Sequence, residues 1–184
     1  MYKIMIKKVL ILGIPLFIAG TIASTSSFSF TGGSPANCSG SPSDGANCST
    51  NCHSTAKYEE KPGWISSNIP ESGYIPDSVY TITATATGIE TSTKFGFEVS
   101  PQFETGKVAG KLILTNPTEM KLLAGGKFIT QKAEGVDGKA SKSWTFKWTA
   151  PAKGSGKITI YGAFLIGGKP EISVTSKLEV NESI

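Results

Sequence analysis

Cys48-Ser49-Thr50-Asn51-Cys52-His53 brings two thiols and one imidazole within six residues, and His53 is the only histidine of the chain. A Cys-x-x-Cys-His run is a signal for covalent haem attachment. In that chemistry the thiols form thioethers with the haem vinyl groups, and the adjacent imidazole becomes an axial iron ligand. Here three residues separate the cysteines instead of two. Haem c is therefore one expected cofactor, held by Cys48 and Cys52, with His53 on the iron. Its potential would then follow from the second axial ligand, hydrogen bonding and burial. Met120 is the only methionine outside the first 25 residues, which makes it the distal candidate; a surface or edge position on a short helical turn competes. Cys38 or a lysine is the alternative distal ligand.

The same cysteines support other chemistry. Thiols of exported proteins usually end in disulfides. On loop length, Cys38 can pair with Cys48 or with Cys52, leaving one thiol over. A Cys48–Cys52 bridge closes a tight loop and needs suitable backbone geometry. Three thiolates and one imidazole are also a zinc ligand set. A thiol-redox motif wants two intervening residues at a helix N-terminus within a thioredoxin-like pattern, and that pattern is absent, so redox chemistry at the thiols is the minor alternative beside zinc.

Other groups are less telling. Trp144, Phe146 and Trp148 could form a stacking platform, but their period of two points to core. Glu59-Glu60 sits beside Lys57 and Lys61, the pattern of a solvated face. With the one imidazole tied to the cysteine run, a Ser-His-Asp or Cys-His hydrolase has no setting. Gly125-Gly126 and Gly167-Gly168 read as turns, since no helix or basic cluster follows to hold a phosphate. No enzyme is expected.

The 184-residue chain begins with a basic stretch (Lys3, Lys7, Lys8), an apolar run from Val9 to Ala23, and small residues at Ala23, Ser24 and Thr25. That is the layout of a secretory signal peptide, assigned to residues 1–25. The run is short of the ~20 residues of a spanning helix, so cleavage is expected and no membrane association after it. The expected location is periplasmic, extracellular or cell-surface. The formal charge is +4, but three of the 18 basic residues lie in that leader and no acid does, leaving +1 for the mature chain. There is no Arg, the residue favoured for bidentate phosphate and base recognition. Nucleic-acid binding is therefore not expected.

Elements must position the cysteine run, and the pattern after it is β. Residues 26–62 form a Gly/Ser/Pro-rich segment without a helix, and residues 63–184 a single domain. Strands are expected over 79–87, 94–99, 111–115, 127–131, 143–149, 157–166 and 173–180, from apolar residues recurring at every second position. Gly162 marks a possible bulge. Thr118 to Leu123 hints at a helix that Gly125-Gly126 would end. Strands at this spacing suggest an all-β sandwich of about seven to eight strands.

The run Gly40-Ser41-Pro42-Ser43-Asp44-Gly45-Ala46-Asn47-Cys48, ending in Cys52-His53, resembles the opening of a family of exported bacterial proteins. These carry a Gly/Pro-rich turn, then Cys-x-x-Cys-His, then a Reelin-like β-sandwich of the Reeler or choice-of-anchor type. Ile69 to Pro76, Tyr80 to Thr83, Lys94 to Glu98, Ser143 to Pro151 and Ile160 to Phe164 resemble the same family in order, so the likeness spans residues 32–181. It implies an immunoglobulin-like sandwich and a monohaem c-type site at Cys48, Cys52 and His53. Electron transfer or redox sensing is the implied role, with no partner identified by the residues. Three departures stand out: the extra residue between the cysteines, the additional thiol Cys38, and a chain that ends soon after the last strand where many relatives continue into a surface-anchoring domain. The alternative function is a non-catalytic secreted adhesion or scaffold sandwich with a disulfide in place of haem.

Overall fold

The computed structural model describes residues 32–50 and 52–183. The leader assigned to residues 1–25 lies outside them. Ten strands form: β1 (Lys57–Glu60), β2 (Ile65–Ser67), β3 (Val79–Thr87), β4 (Phe95–Gln102), β5 (Lys111–Ile113), β6 (Met120–Leu123), β7 (Phe128–Gln131), β8 (Ser141–Thr149), β9 (Ile158–Ile166) and β10 (Ile172–Val180). They pair into a six-stranded sheet, β1-β10-β9-β4-β7-β6, and a four-stranded sheet, β2-β3-β8-β5. Every pairing between strands is antiparallel except β1 with β10. No helix among the described residues is long and apolar enough to cross a membrane.

Alternation explains the sandwich. On β8, Trp144, Phe146 and Trp148 are buried while Thr145 and Lys147 are exposed. They face Ala84, Ile82 and Tyr80 of β3 across regular pairs. From the other sheet, Phe95, Phe97 and Val99 of β4, Ile158, Ile160, Phe164 and Ile166 of β9, and Val174 of β10 enter the same core. The aromatic triplet is thus core and offers no exposed platform.

Three expectations change. Thr118 to Leu123 does not form a helix: Met120–Leu123 is the edge strand β6, paired with β7, and only a single 3-10 turn, Ala124–Gly126, follows. Sheet pairing outweighs the helical preference of Met, Lys and Leu. Gly162 is not at a bulge, because the register runs unbroken through its pairs with Val99 and Ser176. It is small because a Cβ there would sit 2.8 Å from Ile65 Cδ1. β1 and β2 add strands to the seven expected, and β1 lies within the segment that precedes residue 63.

β4 departs from half-buried alternation. All eight of its residues are buried, so its outward positions Glu98, Ser100 and Gln102 are covered as well as its inward ones. The cover is the segment that carries the cysteines.

Candidate functional site

Residues 33–48 lie across the outer face of the six-stranded sheet. Ser34 N donates to Thr130 Oγ1 at 3.1 Å, Cys38 N to Glu98 Oε1 at 2.6 Å, and Ser43 Oγ to Gln102 Oε1 at 2.7 Å. Gln102 Nε2 in turn donates to Asp44 Oδ1 at 3.3 Å. Gly40, at φ +78°, passes so close to β10 that a Cβ would meet Thr175 Cγ2 at 2.6 Å. The Gly-Ser-Pro turn is closed from within: Asp44 N and Gly45 N both reach Ser41 O at 3.2 Å, and Gly40 N reaches Ala46 O at 3.0 Å. Small residues are used here because the segment runs close to the sheet, and polar ones because the sheet face is polar.

The cysteine run winds back on itself. Ser49 N donates to Asn47 Oδ1 at 2.8 Å, and His53 N donates to Cys48 O at 3.1 Å. Those contacts bring Cys38, Cys48, Cys52 and His53 around one hollow of ≈ 60 Å³, with Phe97 and Leu165 also lining it. The thiols differ sharply in access. Cys52 is exposed, whereas Cys38 and Cys48 are half-buried. Burial around its sulfur pushes the Cys48 thiol up to about 12, with Cys38 and Glu98 adding. The Cys38 thiol is also raised, by burial first and the Glu98 carboxylate second. Neither inner thiol is a ready nucleophile.

His53 is fixed by its Nδ1, which lies 3.0 Å from Glu171 Oε2 in the turn before β10. That carboxylate orients the ring and leaves Nε2 as the other functional nitrogen, the arrangement that supports ligating histidines. His53 also borders a second, open groove of ≈ 480 Å³, together with Lys94, Phe95, Val136 and Glu171. Groove and hollow share His53, Gly96, Gln131 and Leu165. The donor types are those of a covalent haem: both thiols of the run and the imidazole line one hollow, and the imidazole also edges the larger groove. Met120 is elsewhere, 2 % exposed within the sandwich core, and lines neither cavity. Cys38 lines the hollow together with the two thiols of the run. A zinc centre is not assembled: among the described residues no three His, Cys, Asp or Glu side chains converge to hold an ion.

Sequence reasoning missed Glu98. Alternation puts it on the face opposite Phe97 and Val99, which reads as solvent. Instead it is 0 % exposed. Its Oε1 accepts the Cys38 N–H, while Oε2 is buried without a partner. Burial pushes its carboxyl up to about 7, and nearby Asp44 adds, against the pull of the Cys38 N–H hydrogen bond. The one sequence signal was a run of polar outward residues, Glu98, Ser100 and Gln102, on a central strand.

No protein-family model and no curated protein matches this chain. Solved structures do. The Reelin-N domain of F-spondin aligns at 18% identity with a TM-score of 0.54, over 74% of this chain and 99% of that one. The human F-spondin reeler domain (fragment 1) aligns at 18% identity with a TM-score of 0.53, over 73% and 99%. At this identity the likeness establishes architecture: the chain has a Reelin-like β-sandwich fold.

Proposed function

We propose that the protein is an exported, non-catalytic adhesion or scaffold sandwich, whose N-terminal segment is pinned over one sheet by a Cys38–Cys48 disulfide. The observation that carries the reading is the shared enclosure of these two thiols. Both belong to the segment that covers Glu98, Ser100 and Gln102, both line the same hollow, and both thiols are raised by burial first. A Reelin-like sandwich fold supports a structural or binding role.

The bridge would join residues ten apart in sequence and stabilise the fold by about 2–3 kcal/mol through loop closure. Intact mass of the natively exported chain is the test. The expected mass lies two hydrogens below the reduced mature chain, with no visible absorption and with Cys52 as the alkylatable thiol. Three reactive thiols in the exported protein would sink the bridge. Cys38→Ser and Cys48→Ser should each lower stability by about 2–3 kcal/mol, measured by urea unfolding under oxidising conditions.

A second reading is supported by His53. Its Glu171-oriented ring beside the groove suits an axial iron ligand, with Cys48 and Cys52 as thioether donors. A haem so held would supply one-electron redox chemistry; this chain would orient its axial imidazole through Glu171. That reading expects the exported protein to gain the mass of one haem, to keep the cofactor on a denaturing gel, and to leave Cys38 as the reactive thiol. The two readings thus differ in mass, colour and the identity of the free cysteine.

A further inference from the structure

We propose that Cys52 is the entry thiol of an intramolecular exchange relay, accepting an external disulfide and passing it inward to Cys48 and Cys38. This inference rests on the disulfide reading above. Three thiols line one hollow, and they are graded by access, with Cys52 exposed and the other two half-buried. The hollow, at ≈ 60 Å³, has room for a sulfur to swing between rotamers and for a few waters. It has no room for an external disulfide such as oxidised glutathione.

Direct oxidation of the inner pair is therefore hindered by access. Cys52 is exposed, lines the same hollow and lies four positions after Cys48.

The exchange balances as follows. The Cys52 thiolate attacks one sulfur of an external dialkyl disulfide; that S–S bond breaks, a mixed disulfide forms on Cys52, and one external thiolate leaves and takes a proton from water. Cys48, having lost its proton to water, attacks Cys52 Sγ and releases the second external thiol. Cys38, its proton passing through water to the departing Cys52 thiolate, then attacks Cys48 Sγ and displaces Cys52. The net change is oxidation of the Cys38 and Cys48 thiols to one disulfide and reduction of one external disulfide to two thiols. Cys52 is regenerated.

The test uses reduced, haem-free protein mixed with oxidised glutathione, quenched with acid, alkylated and mapped by mass spectrometry. A glutathione adduct on Cys52 should rise first and decay as the Cys38–Cys48 bridge appears. Cys52→Ser, an exposed change whose folding is checked by circular dichroism, should reach the same bridge at least about tenfold more slowly. Cys48→Ser should trap the adduct on Cys52. Bridge formation in Cys52→Ser at the wild-type rate would overturn the relay and leave the bridge intact. Absence of a Cys38–Cys48 bridge in oxidised wild type would overturn the bridge and, with it, the relay.

Discussion

Trp144→Ala should destabilise the sandwich by about 3–5 kcal/mol, a large part of the ~5–15 kcal/mol that holds a domain folded. The side chain is 1 % exposed at the centre of β8. Its ring stacks on Phe97 of the opposite sheet, with centroids 4.3 Å apart and planes at 23°. Truncation removes that contact and opens a cavity between the sheets that rigid strands close poorly. It also strands a carbonyl, because Trp144 Nε1 donates to Gly135 O at 2.8 Å in the buried interior. An interior acceptor that loses its donor adds about 1–3 kcal/mol by itself. Lys147→Ala, on the exposed face of the same strand, should stay within about 0.5 kcal/mol. Urea unfolding followed by circular dichroism compares the two. A Trp144→Ala midpoint equal to that of Lys147→Ala would mean that this inter-sheet contact does not carry the core.

How legible the fold was depended on where each strand found its partner. β8 was plain because Trp144, Phe146 and Trp148 alternate with Ser143, Thr145 and Lys147, and one face of its sheet meets solvent. β3 was legible for the same reason, and β9 as a long apolar run. β1 was not, since Lys57-Tyr58-Glu59-Glu60 carries no apolar face. Its order comes from parallel pairing with β10, more than a hundred residues later, and from Lys57 and Lys61 gripping Glu59 at 2.8 and 2.7 Å. β6 was misread because Met120-Lys121-Leu122-Leu123 are good helix formers individually, while the force that extends them is the edge of β7. The cysteine site was half legible. Cys48, Cys52, His53 and the odd thiol Cys38 stood out by type and spacing. Glu98 and Glu171 did not, because each gains its role from a segment distant in sequence that packs against it. Local pattern encodes the face a residue presents, and cannot say that an irregular segment some sixty positions earlier will cover that face.

Glu98 gives the second large effect, and its sign follows from where its proton resides. In the folded chain the carboxyl sits at about 7, against an ordinary value of 4.5. Between these values the folded state keeps a proton that the unfolded chain has released. Stability from this group is therefore fully present below about pH 4.5, falls as pH rises toward 7, and levels off at its lower value above that. The gap corresponds to about 3 kcal/mol, lost as Glu98 ionises beneath the cysteine segment. The cause is local: Oε1 accepts the Cys38 N–H, but Oε2 is buried with no partner, so negative charge there is poorly met. Asp44 lies on the same side and adds to the repulsion. The Cys38 and Cys48 thiols are raised by their own burial and stay neutral through this range. Glu98→Gln retains an acceptor for Cys38 N–H and cannot ionise. It should be less sensitive to pH than wild type, with the two curves diverging by about 2–3 kcal/mol between pH 5 and 8 in favour of the variant at the alkaline end. The difference between the curves is the informative quantity, because the His53–Glu171 pair is common to both and cancels. Hydrogen exchange of the Cys38 amide should report the same trend, with protection in wild type declining from pH 5 to 8 after correction for intrinsic rate. A wild-type-minus-variant difference that stays constant across that range would show that Glu98 is not the group that ties docking of the cysteine segment to pH.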